Sequence, residues 1–340
     1  MSNYPTGNEL PNLVNVTKRL DPDGSIAKIS ELLAASNPIL DDIPIIEGNM
    51  PMGHLTTVRT GLPEPTWRRL NYGVYPTKSQ TAQITESCAM LEAYAEVDKR
   101  LAEINGNTAE WRASEDKPHI ESMSQTMVDT LIYGDTAIYP DRFLGLAPRY
   151  DSLTLTGKPT AVTNSAYLNH VISCSDGTPT ADKQTSVWYI VWGEETVHGI
   201  YPKGSKAGLE AEDLGRVTLQ DNDGGRFEGY RSHYKWEMGL VVRDWRYIVR
   251  ICNIELADME VEASQQLLYH AMIKAMHTTP GGNGIFYASP GVLAMLDIAA
   301  VEKGNAALGY SEIFGKPVLT FRGRPIRKVN AILETEAVIS

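Results

Sequence analysis

The chain has 340 residues, 42% hydrophobic and 21% charged, enough to bury a substantial core in one large domain or two ordinary ones. Its formal net charge of −11 argues against a protein that grips a polyanion over its whole surface, because phosphate binding draws on Lys and Arg to release counterions. No apolar run reaches the ~18–20 residues needed to span a bilayer, and residues 1–20 carry no apolar leader, so a cytosol-like compartment is expected. Cys88, Cys174 and Cys252 are too scattered for a disulfide framework or a zinc site and read as buried small hydrophobes.

In chain order, residues 1–50 read as an arm. A short helix is expected over residues 25–35, with Ile26, Ile29 and Leu32 on one face. Residues 39–51 are apolar but broken by Pro44 and Pro51, and should need another surface to lie on. Residues 51–86 read as a protruding hairpin, with strands at 55–60 and 66–74 joined by a Gly/Pro-rich tip. Arg59, Arg68 and Arg69 decorate it, and Trp67 and Tyr72 are its large contact groups, so it is expected to touch a neighbouring molecule.

Residues 87–150 read as a helical spine as far as Gly134, followed by a loop-rich stretch that begins at Tyr139 and runs to Asn169. Met90, Tyr94, Val97, Leu101 and Ile104 recur three and four apart, and Ile120, Met123, Met127 and Leu131 form a second stripe ending at Gly134. Pro118 should limit how far upstream the second helix extends unbroken. Residues 151–340 then turn to mixed structure. Residues 187–192 are apolar on both faces and predict a buried central strand. Residues 230–242 alternate with Tyr230, Tyr234, Trp236, Met238 and Leu240 on one face, and the phase shifts near Arg243. That alternation is about twice the usual strand length and would reach roughly 40 Å, more than a compact enzyme ordinarily needs. A helix over 262–277, a strand over 284–288, a helix over 290–303 and a closing strand pair at 317–322 and 325–333 complete the α+β reading.

A search for chemistry yields no catalytic, cofactor or metal site. There is no GxSxG elbow and no correctly spaced P-loop. The Gly-rich run 280–284 lies between helix and strand, the reverse of a phosphate cradle, and reads as a helix stop. His270 and His277 are seven apart, not the i,i+4 pair of a helical zinc site. Glu194 and Glu195 point to opposite faces if extended and read as a solvated turn. One basic cluster stands out, Arg322, Arg324, Arg327 and Lys328. Contact with an identical neighbour or with solvent is the favoured reading, nucleic-acid contact the lesser one.

Several stretches of the sequence resemble one family. They are IESMSQTMVDTLIYGD at 120–135, FLGLAPRY at 143–150, VWGEETVHGIYPKGS at 191–205, YKWEMGL at 234–240 and FRGRPIRKVNAILETE at 321–336. Together, from about Leu55 to the end, they are similar to the major capsid proteins of tailed bacteriophages, the Hong Kong ninety-seven type of shell fold, in a short-tailed phage subfamily. The resemblance implies an N-terminal arm, an extended loop hairpin, a long spine helix, a peripheral β ribbon and an α/β axial domain. It also implies a homo-oligomeric shell of pentamers and hexamers enclosing double-stranded DNA, assembled in the host cytoplasm. Scaffolding, portal and cement proteins are candidate further partners. The cross-linking Lys and Asn of some relatives find no matching motif here. A nanocompartment shell of the same fold, or an enzyme with an unrecognised site, are the alternatives.

Overall fold

The computed structural model describes residues 37–103, 108–153, 170–175, 179–221, 224–303, 308–313 and 316–340. The helix expected over 25–35 lies outside them. After a single helical turn at Ile39–Asp42 come strands β1 (Ile45–Glu47), β2 (Gly53–Gly61) and β3 (Gln80–Asp98) and a turn of helix at Lys99–Ala102. The long helix α1 (Thr108–Tyr133) follows, then β4 (Val171–Ser173), β5 (Gln184–Ile190), β6 (Val197–Tyr201), β7 (Leu209–Gln220), β8 (Arg226–Val242) and β9 (Ile248–Glu255). The last third holds α2 (Glu262–Thr278), β10 (Ile285–Ala288), α3 (Pro290–Lys303), β11 (Leu308–Ile313), β12 (Lys316–Phe321) and β13 (Arg324–Lys328). The fold is α+β.

Two compact units divide the described residues, one from 90–127 and 208–237, the other from 36–89, 128–207 and 238–340. Strands β3 and β8 and helix α1 each run from one unit into the other. At 19 and 17 residues, β3 and β8 are about three times the usual strand length, and β8 alone reaches about 55 Å.

In the first unit β7 and β8 form an antiparallel ribbon from Leu209↔Trp236 to Gln220↔Arg226. Met123 of α1, Ala95 of β3 and Tyr234 of β8 make one small core with Leu91, Leu209 and Trp236. Val97, Ala102 and Tyr230 make a second. Gly229 permits the close approach here, since a Cβ would stand 2.5 Å from the Val97 carbonyl oxygen and 2.4 Å from Leu219. Ion pairs cover the surface, including Arg231 with Glu96 and Arg112 with Asp213.

The second unit holds the main core. Its seven-stranded sheet runs β11-β12-β13-β10-β5-β9-β4, with every residue of β5 buried. Both faces of a central strand must be covered, which is why residues 187–190 are apolar without alternation. Helix α2 contributes Leu268, Ala271, Met272 and Ala275, and α3 contributes Val292, Leu296 and Ala299, each at helical spacing. Phe286, Phe321 and Tyr189 cluster among them, with ring centroids 4.5 and 6.0 Å apart. Each such side chain contributes about 1.5–3 kcal/mol by leaving water. Cys88, Cys174 and Cys252 are buried, as expected, and burial pushes the Cys252 thiol up to about 12.

Three sequence expectations need correction. Residues 90–98 are strand, not helix, although their apolar spacing suits a helix. Met90 and Tyr94 lie exposed while Ala95 and Val97 are buried, so pairing with the long β8 overrides local periodicity. Residues 66–74 are not a strand. The partner of β2 begins only at Gln80, with Gly61↔Gln80 the last pair, and an extended loop of irregular backbone lies between. Helix α1 runs through Pro118, at a cost of about 3 kcal/mol for the lost hydrogen bond and ring clash.

Residues 39–51 find the surface they were expected to need on their own chain. β1 pairs parallel with β6 at Ile45↔Gly199 and Ile46↔Ile200. The Asp42 carboxylate accepts from the Tyr287 hydroxyl at 2.7 Å and stands 3.1 Å from Arg327. Burial raises the Asp42 carboxyl above its ordinary value, a shift the Tyr287 and Arg327 contacts oppose. Substituting Asp42→Asn should cost about 1–2 kcal/mol, because the Arg327 guanidinium loses its counter-charge while the volume is kept. Chemical denaturation of the isolated subunit measures it, and an unchanged midpoint would contradict the tie.

Candidate assembly surface

The hairpin starts from a rigid base. Gly53↔Ser87 and Leu55↔Thr85 are paired, and buried Glu86 has both carboxylate oxygens held by Arg149 at 2.7 and 2.8 Å. Asn49 closes the outer edge at Leu55, accepting from its amide and donating to its carbonyl, both at 2.8 Å. Beyond Arg59 burial ends. Residues 62–79 are all exposed.

The loop carries a turn of its own. The Tyr72 amide donates to the Arg69 carbonyl at 3.2 Å, with Asn71 at φ 68°, the left-handed position that Asn tolerates. The Arg68 guanidinium donates to the Tyr72 carbonyl at 3.1 Å. Trp67 is 100% exposed, Leu70 90% and Tyr75 89%, with Leu62 and Tyr72 nearly as open. Scattered single apolar residues on a surface are ordinary; five within one loop make a concentrated exposed apolar group. Arg59, Arg68, Arg69 and Lys78 against Glu64 make the same loop basic in a chain of net charge −11.

The second predicted group is placed differently. β12 and β13 join through Arg322 and Gly323, at φ 49° and 80°, a two-residue turn of the primed type. Arg322 is exposed at its tip. Arg324 is half-buried and donates to Asn283 at 2.5 Å, and Arg327 is committed to Asp42. The basic cluster is therefore not a continuous cationic surface, since one member is neutralised within its own chain. Arg322 holds a left-handed conformation that strains any residue with a Cβ. Arg322→Gly should raise the unfolding midpoint modestly, by up to about 1 kcal/mol; a loss of stability would contradict that turn geometry.

Sequence reasoning singled out Arg59, Trp67, Arg68, Arg69 and Tyr72, all of which lie exposed on the hairpin, but passed over the equally exposed Leu62, Leu70, Val74 and Tyr75. Their signal was present: apolar residues among Pro63, Pro65 and Pro76, where no core-facing alternation is possible. Glu194 and Glu195 lie in an exposed turn, and Gly281 and Gly282 take positive φ at the helix stop, as expected. Among the described residues no helix is long and apolar enough to cross a membrane, and no group of three metal-ligating side chains comes together.

Residues 21–340 match the family described as Major capsid protein GP7. A chain from the near-atomic structure of bacteriophage Epsilon15 is 33% identical, with TM-score 0.73 and 99% of each chain covered. The capsid of bacteriophage JBD30 shares the fold at 11% identity and TM-score 0.50, covering 89% of this chain and 96% of that one. A chain of the SrpI encapsulin complex from Synechococcus elongatus, at 8% identity and TM-score 0.42 over 73% of this chain and 96% of that one, is too distant to carry a functional argument. No curated protein matches. With the family matched over nearly its whole length and the fold shared end to end with a phage particle, this chain belongs to the GP7 family of bacteriophage major capsid proteins.

Proposed function

We propose that this capsid subunit closes an icosahedral shell of pentamers and hexamers through its exposed hairpin loop, and that the shell encloses double-stranded DNA. The observation that carries the reading is the loop at residues 62–79, with Trp67, Leu70 and Tyr75 fully or almost fully in water. A monomer gains nothing from that arrangement. A subunit surrounded by copies of itself gains an aromatic, arginine-rich anchor at every contact. Arg59, Trp67, Arg68, Arg69 and Tyr72 are the contact groups of the loop, and Arg322 and Arg324 a second, weaker contact.

Within this reading residues 1–50 act as an arm, 51–86 as the extended loop, 87–150 as the spine and the start of the peripheral domain, and 151–340 as the axial domain with the peripheral ribbon. The acidic balance suits a wall that holds DNA without binding it tightly. Assembly in the host cytoplasm, with scaffolding, portal and cement proteins, completes the proposal; the chain's role is structural, not enzymatic. The test is direct. Purified full-length protein, concentrated at neutral pH, should give closed shells, sheets or capsomer rings by electron microscopy. A monodisperse monomer at every concentration would refute it.

A further inference from the structure

Three basic side chains meet at the base of the hairpin with no carboxylate among them. His54 comes from β2, His198 from β6, and Arg243 from the residue after β8. The two rings meet edge to face with centroids 6.0 Å apart, and Arg243 Nη2 lies 3.2 Å from His54 Nε2. His198 is 0% exposed and His54 7%. The Arg243 Nε is buried without a hydrogen-bond partner.

The surrounding charges offer no relief. Glu86, the cross-strand partner of His54, is saturated by Arg149. Asp244, next to Arg243, is held by Arg246 at 2.6 Å, and Glu194 and Glu195 sit in the exposed turn before β6. Gly193 contributes only backbone. Opposite charge is what normally makes a buried imidazolium tolerable, and here the nearest charge has the same sign.

We infer that His54, His198 and Arg243 form an acid-sensitive latch that holds the hairpin base closed while both histidines are neutral and loosens it when they are protonated. At neutral pH the site holds one positive charge. Two added protons make three, in a buried space, and the least costly response is for β2 to part from β6 and the Arg243 turn. The direction of titration agrees. Burial first, then Arg243 and the neighbouring ring, push His198 down to about 4, and burial with Arg243 lowers His54. Both folded values lie below the ordinary 6.5. The latch is therefore fully closed above about pH 6.5 and weakens as pH falls, by up to about tenfold per unit for each histidine. That loosening would also release the hairpin loop from a neighbouring copy, a consequence that rests on the proposed function, whereas the latch itself does not.

Amide hydrogen exchange of the full-length chain, corrected for intrinsic rate, tests the latch on subunits and shells separately. Protection over residues 53–56 should fall at least tenfold more between pH 7 and 5 than over β5. His198→Gln and His54→Gln should each flatten that fall. A wild-type profile that is flat, or that falls equally in both variants, overturns the latch. Should His198→Gln fail to fold, the wild-type profile and His54→Gln still decide. Loosening in isolated subunits with shells unaffected would leave the latch standing and count against the hairpin loop as the shell contact.

Discussion

Replacing Glu336 with alanine should destabilise the subunit by about 3–5 kcal/mol, a large fraction of the total stability of any domain. The carboxylate is buried near the C-terminus and is the hub of a network. It accepts from the Tyr133 hydroxyl at 2.5 Å, from the Ser186 hydroxyl, and from Arg250 Nη2 at 3.0 Å. Arg250 is itself buried, donating to Ser186 Oγ at 3.0 Å and to the Tyr150 carbonyl at 2.9 Å, with its guanidinium over the Trp188 ring at 5.0 Å. Burial, reinforced by the Glu336 charge, raises the Tyr133 hydroxyl far above its ordinary value, so it remains a donor throughout the accessible pH range.

Removing one carboxylate leaves the guanidinium charged, dry and without a counter-ion, the costly half of a buried pair. The double replacement Arg250→Met with Glu336→Leu should recover most of the loss, because it removes both desolvated charges together. Equilibrium denaturation of the three variants separates these outcomes. A cost below about 1 kcal/mol for Glu336→Ala, or no recovery in the double variant, would contradict the network. Its place matters as well as its strength. It ties the end of α1, the central strand β5, β9 and the tail, where Glu336 also exchanges backbone hydrogen bonds with Gln184, and the Asn253 side chain donates to the Ile339 carbonyl and accepts from its amide.

The second large effect is on assembly and leaves the fold alone. Trp67→Ser, Leu70→Ser and Tyr75→Ser together should change subunit stability by no more than about 0.5 kcal/mol, since these side chains are 89–100% exposed. The same triple variant should raise the protein concentration needed for shells by about 100-fold or more. An aromatic anchor at a protein interface is worth about 2 kcal/mol or more, and a shell repeats the loss at every equivalent contact. Light scattering against concentration, with electron microscopy of the product, reads the threshold. Shells forming at the wild-type concentration would show that the loop is not an anchor.

Much of the fold was legible because its signals are local. The unbroken apolar run at 187–192 marked the central strand, residues 262–277 and 290–303 read as helices, and Gly323 marked a turn. What misled was long-range. Residues 90–98 satisfy a helical template, yet the ladder between β3 and β8 decides their state, and nothing within nine residues announces a partner more than 130 positions away. Pro118 and the apparent strand at 66–74 were misread for related reasons, since helix α1 tolerates its proline and the loop's β-favouring residues have no strand to pair with. The exposed loop itself was found from its Trp, Tyr and Arg residues. The His54, His198 and Arg243 trio and the Arg149–Glu86 clasp were invisible, because their members lie tens to hundreds of residues apart and no spacing rule joins them.

Burial of Trp67 on assembly reports directly whether the loop meets a neighbouring subunit. Hydroxyl-radical footprinting, read by mass spectrometry on dissociated subunits and on closed shells, compares its oxidation with that of exposed Tyr139, which lies outside the loop. Oxidation of Trp67, Tyr72 and Tyr75 should fall at least fivefold in shells while Tyr139 serves as the reference. Equal oxidation of the loop in both states would mean that it has no neighbour there, and the account of how these subunits hold one another would be wrong.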